Sequence, residues 1–273
     1  MSRLDKLRLV SYLAPNMFGF YEAVGAYLSR VLGIEAQLVQ SQYDPLEDPM
    51  LLQDKLDIAF ICGLPFARRH RVADYQLQAL VAPVMQHQRY QNQPIYFSDI
   101  IVKADSNLSR FDDLVDKTFC YNDPGSNSGY NLLRQRLIQA GYPSDFFGKV
   151  IQSGSHQRSI QLIVDSIADC SAIDSTVLEQ EGRNSPELSN RLRVIESIGP
   201  CPMPPVVAAK HLGSQFIDRL HSALLQPDIH LQLAMSQVGI QHYVSVQSED
   251  YIPLSLMYDA AVQAAYELIS SRS

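Results

Sequence analysis

Ten short apolar runs, separated by stretches with helical spacing, constrain this chain more than any other feature. The runs are LRLVSYL (7–13), AQLVQ (36–40), DIAFI (57–61), QALVAPV (78–84), SDIIVK (98–103), TFCYN (118–122), KVIQ (149–152), DCSAI (169–173), LRVIES (192–197) and PVVAA (205–209). Each is strand-sized and apolar. Between the first two, Phe20, Tyr21, Val24, Tyr27, Leu28 and Val31 recur with a period near 3.6 and place one apolar face on a helix. A helix opening at Ser155 carries Ile160, Ile163, Val164 and Ile167 in the same way. From Gly213 onward the spacing predicts mostly helix, over 216–225, 230–238 and 254–269. Strands alternating with helices predict an α/β fold whose sheets are parallel or mixed and flanked by helices.

A chain of 273 residues with 46% apolar content can bury one large core or two lobes. We expect lobe 1 over 1–99 plus 206–273, which makes it discontinuous, and lobe 2 over 100–205. The chain would cross between them near 98–103 and 200–206, the second crossing in the proline-dense stretch CPMPP. The net charge of −7, without a basic cluster, argues against nucleic acid as a partner. No apolar run has the roughly 18 residues needed to span a bilayer. Asp5 and the lack of a small-residue cleavage site spoil MSRLDKLRLVSYLAP as a signal peptide, and RLVSYL reads better as a first strand. The expected compartment is therefore cytoplasmic as the chain stands, and periplasmic if an export signal has been removed. Cys62, Cys120, Cys170 and Cys201 form no C-x-x-C pair and read as buried apolar residues. The seven histidines show no H-x-x-x-H or H-E-x-x-H spacing, so no metal and no cofactor are expected.

Two strand-to-helix junctions carry the chemistry. Asp123–Tyr130 reads DPGSNSGY, between the strand TFCYN and the helical run YNLLRQRLIQAG. The first amides of that helix have no intrahelical partner, and with Ser126, Asn127 and Ser128 they can cradle an anion. The same residues equally suit a turn with a Ser or Asn N-cap and no ligand. The stretch lacks the lysine of a phosphate-binding G-x-x-x-x-G-K-[ST] loop. In QSGSHQRSIQLI a strand again ends in Ser and Gly, and His156 falls in the first helical turn. It is either a packing residue or a donor at the mouth of the second junction. Asp174, at the end of DCSAID, is either a third group at the strand ends or the N-cap of TVLEQEG.

These stretches resemble the phosphate, phosphite and phosphonate class of substrate-binding proteins that serve ABC transporters. In the first half, YDPLEDPMLLQDKLDIAFICGLPF resembles that family's tyrosine, helix and "DIA" strand running into glycine. IYFSDIIVKADSNLSRFDDL resembles its hinge strand, DPGSNSGY its "DPxSxSG" loop, and GSHQRSI its "G-x-H" helix start, the match running over most of 7–210. The resemblance implies a two-lobed type II periplasmic-binding fold, with two crossing strands as hinge, that closes on its ligand. It implies no catalysis, a small anionic ligand and an ABC transporter permease as partner. Ser126, Asn127, Ser128 and His156 would hold a tetrahedral oxyanion, Tyr43 and Tyr96 would close over it from the other lobe, and Asp174 would border it. Aminoalkylphosphonate binders of this family place acids that meet the ligand's amine. Here Pro204 stands at one such place, and Ser175 and Thr176 rather than Glu follow Asp174. Phosphate, phosphite or a simple alkylphosphonate is therefore the expected ligand.

Two other readings compete. The same fold could serve as a cytoplasmic ligand-sensing or precursor-binding protein with a different small ligand. Alternatively Ser126 or Ser128, His156 and Asp174 could form a hydrolase triad, but GSNSG lacks the G-x-S-x-G spacing. Surface aromatics are scattered singly, so a monomer is expected.

Overall fold

The computed structural model of the protein describes residues 6–272. Eleven strands are formed among them: β1 (Lys6–Ser11), β2 (Glu35–Gln40), β3 (Ile58–Phe60), β4 (Leu77–Met85), β5 (Ile95–Lys103), β6 (Thr118–Tyr121), β7 (Lys149–Gln152), β8 (Cys170–Asp174), β9 (Leu192–Pro202), β10 (Val206–Ala209) and β11 (Ile240–Ser245). They make two mixed sheets, ordered β11-β4-β10-β3-β1-β2 and β7-β6-β8-β5-β9. Burial follows position in the sheet. All five residues of β8, between β6 and β5, are buried, as expected of a strand covered on both faces. Edge strand β2 alternates exposed and half-buried residues.

The chain divides into two compact units. The first comprises the chain through Ile95 plus Pro202–Pro253, and the second comprises Tyr96–Cys201 plus the segment from Leu254 onward. The chain thus passes from one unit to the other three times. The first unit holds the six-stranded sheet. β1 pairs in parallel with β2 and β3, while β10 and β11 run antiparallel to their neighbours. β11 was not expected, because the region after Gly213 reads as mostly helical. Gly239, with φ of 73°, ends the helix Ile229–Gln237, and IQHYVS then pairs with β4. The available signal was the short run of Ile240, Tyr243 and Val244 directly after a glycine.

In the second unit β6 pairs in parallel with β7 and β8, and β5 runs antiparallel to β8. Phe119, Tyr130, Leu133, Phe146 and Phe147 are buried in one cluster. Each fully buried side chain of this size contributes roughly 2–3 kcal/mol of transfer free energy. Tyr266 and Ile269 belong to the same cluster, so the C-terminal segment departs from the expected assignment of 206–273 to lobe 1. The expected helix over 254–269 is also shorter, spanning Ile252–Gln263. Ala265 then adopts φ of 56°, which breaks the helix and lets the following residues extend along the core. There the Tyr130 hydroxyl accepts from the Ile269 amide at 2.6 Å, and the Tyr266 hydroxyl donates to the Pro143 carbonyl at 2.7 Å.

Candidate functional site

Because β7, β6 and β8 lie side by side and parallel, their carboxyl ends emerge along one edge of the second sheet, where open α/β sheets bind ligands. Tyr121 pairs with Gln152, and the pairing continues past the strands. The Ser153 amide donates to the Tyr121 carbonyl at 2.7 Å and the Gly154 amide to the Asn122 carbonyl at 2.9 Å. DPGSNSGY and GSHQRSI are thereby held next to each other.

The DPGSNSGY loop enters its helix through a π-turn over Asn127–Asn131. Ser126 is the N-cap, its Oγ accepting from the Gly129 amide at 3.0 Å, and its carbonyl accepts from the Asn131 amide five residues on at 3.0 Å. A π-turn is wider than an α-turn and recurs at functional positions. The N–H groups that open it point outward together with the positive end of the helix dipole. Gly129 leaves room here for the Asn122 side chain. A Cβ on it would lie 1.8 Å from Asn122 Oδ1 and 3.1 Å from His156 Cε1. Glycine therefore lets the loop, Asn122 and the histidine ring come together.

Ser128 Oγ lies 3.1 Å from His156 Nε2, and the Ser128 carbonyl accepts from Ser98 Oγ at 2.6 Å. His156 opens the helix His156–Val164, capped by Ser155 Oγ, which accepts from the Arg158 amide. Burial pushes the imidazole pKa down to about 4, so the ring is neutral at pH 7. His156 Nδ1 and Asn122 Oδ1 are buried and have no hydrogen-bond partner among the described residues. Asn127, fully buried, has a committed side chain: Nδ2 donates to the Tyr96 hydroxyl at 2.7 Å and Oδ1 accepts from Asn131 Nδ2 at 3.0 Å. Burial pushes the nearby Cys201 thiol up to about 11, with the Asn127 side chain among its neighbours.

Tyr96 lies in the second unit with the loop, and not in the other lobe as expected: β5 pairs with β8 from Ser98 to Val102, and the Tyr96 hydroxyl accepts from Asn127 Nδ2. Asp174 is the N-cap of the helix Ser175–Asn184, accepting from the Thr176 amide at 2.8 Å and hydroxyl at 2.7 Å. Burial raises its pKa to about 6, and the Asp99 charge adds to the rise against the Thr176 and Val177 hydrogen bonds. Ser98 is its register partner on β5. Tyr43 lies in the first unit, on the exposed segment after β2. The second unit thus brings together Tyr96, Ser126, Asn127, Ser128 and His156. Sequence reading missed Ser98, Asn122, Gly129, Asn131 and Arg134. Only Gly129 had a visible signal, as a second glycine at a helix start.

The fold is thus two-unit α/β, with this loop at the strand ends of the second unit. The family of periplasmic substrate-binding proteins of phosphonate ABC transporters matches residues 10–251, and the chain belongs to that family. Its members are non-catalytic solute-binding proteins that work with an ABC transporter permease. A search of curated protein sequences finds no match. Among solved structures, a binding-protein component of a phosphonate ABC transporter from Pseudomonas aeruginosa aligns with TM-score 0.82 at 16% identity, covering 97% of this chain and 90% of that one. PhnD1 from Prochlorococcus marinus, in complex with methylphosphonate, aligns with TM-score 0.81 at 17% identity, covering 97% and 100%. The alkanesulfonate-binding protein SsuA from Xanthomonas axonopodis pv. citri, bound to MOPS, aligns with TM-score 0.65 at 13% identity, covering 97% and 95%. These likenesses establish the type II periplasmic-binding fold. Among the described residues no helix is long and apolar enough to cross a membrane, and no cluster of His, Cys, Asp and Glu could hold a metal.

Proposed function

We infer that the protein binds a small phosphorus oxyanion without an amine, namely phosphate, phosphite or an alkylphosphonate, as the periplasmic solute receptor of an ABC transporter. The observation that carries this reading is the Ser128 Oγ–His156 Nε2 contact of 3.1 Å at the mouths of two helices, beside an imidazole nitrogen buried without a partner. Ser126, Ser128, His156 and the backbone amides of the π-turn supply the donors, and Tyr96 supplies a hydroxyl. None of these groups carries a formal positive charge once the histidine is neutral, so helix dipoles and hydrogen bonds balance the anion. Tyr43 is proposed as a further contributor. Asp174, engaged as a cap, is proposed to border the ligand, and a buried carboxylate there disfavours further negative charge on the ligand. The protein acts as a monomer in this reading.

A thermal-shift panel tests it with phosphate, phosphite, methylphosphonate, aminoethylphosphonate, sulfate and ethanesulfonate. A ligand that binds only the native state stabilises it by about 2.7 kcal/mol at a hundredfold excess over Kd. The phosphorus oxyanions without an amine are expected to raise Tm, and His156→Ala to abolish the shift. A larger shift with ethanesulfonate would move the reading to sulfonates, the chemistry of the MOPS-bound neighbour. No shift with any oxyanion would overturn it.

A further inference from the structure

We propose that the side chains of Arg134 and Asn131, which are turned to other side chains and not to the ligand, are positioning groups that fix the Tyr96 hydroxyl as a hydrogen-bond donor. This rests on the oxyanion reading for its purpose but not for its geometry. Arg134 NH2 donates to Asn131 Oδ1 at 2.8 Å, Asn131 Nδ2 donates to Asn127 Oδ1 at 3.0 Å, and Asn127 Nδ2 donates to the Tyr96 hydroxyl at 2.7 Å. All four side chains are at most 1% exposed.

The direction of this chain is forced by chemistry. A guanidinium has donors only, so Asn131 must turn its carbonyl oxygen toward Arg134. Its amide nitrogen then faces Asn127, whose oxygen must accept. The Asn127 nitrogen is left to face Tyr96. The phenol oxygen is therefore an acceptor from the loop, and its single proton must point away from Asn127. Amide orientation, normally ambiguous between oxygen and nitrogen, is settled here by the arginine at one end. Serial hydrogen bonds in a low-dielectric interior also polarise one another, so the Tyr96 O–H becomes a better donor. Arg134 is held in place by the C-terminal segment. Its NH1 donates to the Glu267 carbonyl at 3.0 Å, and its guanidinium lies 4.6 Å from the centre of the Tyr258 ring.

Asn131→Asp tests this with little change of shape. The aspartate keeps its contact with Arg134 but has no N–H for Asn127. Asn127 is then expected to turn its nitrogen to the carboxylate and its oxygen to Tyr96, drawing the phenolic proton inward. In ligand-free protein labelled with 13Cζ-tyrosine, the Tyr96 resonance, assigned by its loss in Tyr96→Phe, is expected to move in Asn131→Asp. An unmoved resonance overturns the relay. With methylphosphonate as the probe, Asn131→Asp is expected to weaken binding about tenfold, the worth of one lost donor. Asn131→Asp/Tyr96→Phe is then expected to bind no more weakly than Tyr96→Phe, whereas an additive loss would mean a merely structural role and overturn the proposal. Should Asn131→Asp fail to fold, Arg134→Gln replaces it, since glutamine can accept as well as donate and frees the direction. Wild-type protein that binds no oxyanion would sink the functional reading, while the resonance still decides the relay.

Discussion

Each unit of this protein builds a polar cluster around an arginine, and the two clusters end differently. In the first unit, Arg8 meets a carboxylate. Its backbone amide, Nε and NH2 all donate to Asp57, at 2.7, 3.1 and 3.2 Å. His211 lies between two acids, its Nε2 2.9 Å from Asp57 and its Nδ1 3.1 Å from Asp54. The main chains around them tie β1, β3 and β10 together. In the second unit Arg134 hands an N–H to a neutral amide, and the chain of amides ends on a tyrosine hydroxyl beside the loop. A cluster in which charge meets charge holds strands together. A chain of neutral amides carries direction from a buried cation to a hydroxyl instead.

The largest effect expected from breaking this contrast is at Asp57. Asp57→Ala would leave Arg8 and His211 facing each other without their shared carboxylate, and is expected to lower stability by about 3 kcal/mol. Urea denaturation checks this, and oxyanion affinity should be unchanged in the fraction that folds. Burial acts to raise the Asp57 pKa, but the Arg8 and His211 hydrogen bonds outweigh it and hold the carboxyl below its ordinary 3.8. The stability it contributes is therefore present above that value and lost as pH falls through the folded-state value beneath it. Asp57→Asn should flatten this acid limb.

Asp174 is the opposite case, a buried carboxylate whose bonds come from Thr176 and whose pKa is raised to about 6. Its ionised form costs stability, starting as pH rises through the ordinary 3.8 and complete above about 6. Asp174→Asn keeps an acceptor for the Thr176 amide, and is expected to gain about 2 kcal/mol at pH 8 and nothing near pH 3.5. Paired denaturation curves at the two pH values check the sign. The smallest effect is expected at Tyr43. Because it is exposed, Tyr43→Phe should change stability by under about 0.5 kcal/mol, and a loss of oxyanion affinity would mark it as a ligand contact.

What was legible in the sequence follows the same contrast. Local rules located β1–β10, the helix starts at Ser126 and Ser155 and the cap at Asp174, because each depends on neighbouring residues. Asn131 and Arg134 look like ordinary polar positions of a helix. Their role appears only when Tyr96, some thirty residues earlier, and Glu267, far later, are brought beside them. β11 and the C-terminal segment were misread for a related reason. Helical spacing continues past Gln263 in the sequence, but Tyr266 and Ile269 gain more by entering the aromatic core. Tyr96 was placed in the wrong lobe because the boundary falls just after Ile95, the first residue of β5, and not at its middle near 99–100.

Isothermal titration of methylphosphonate into the wild-type protein and into Ser128→Ala tests the central claim most directly. The account predicts one site per chain in the wild type and at least about tenfold weaker binding when the hydroxyl beside His156 is removed. Equal affinity in the two proteins, or no binding of methylphosphonate, phosphate or phosphite by the wild type, would contradict it.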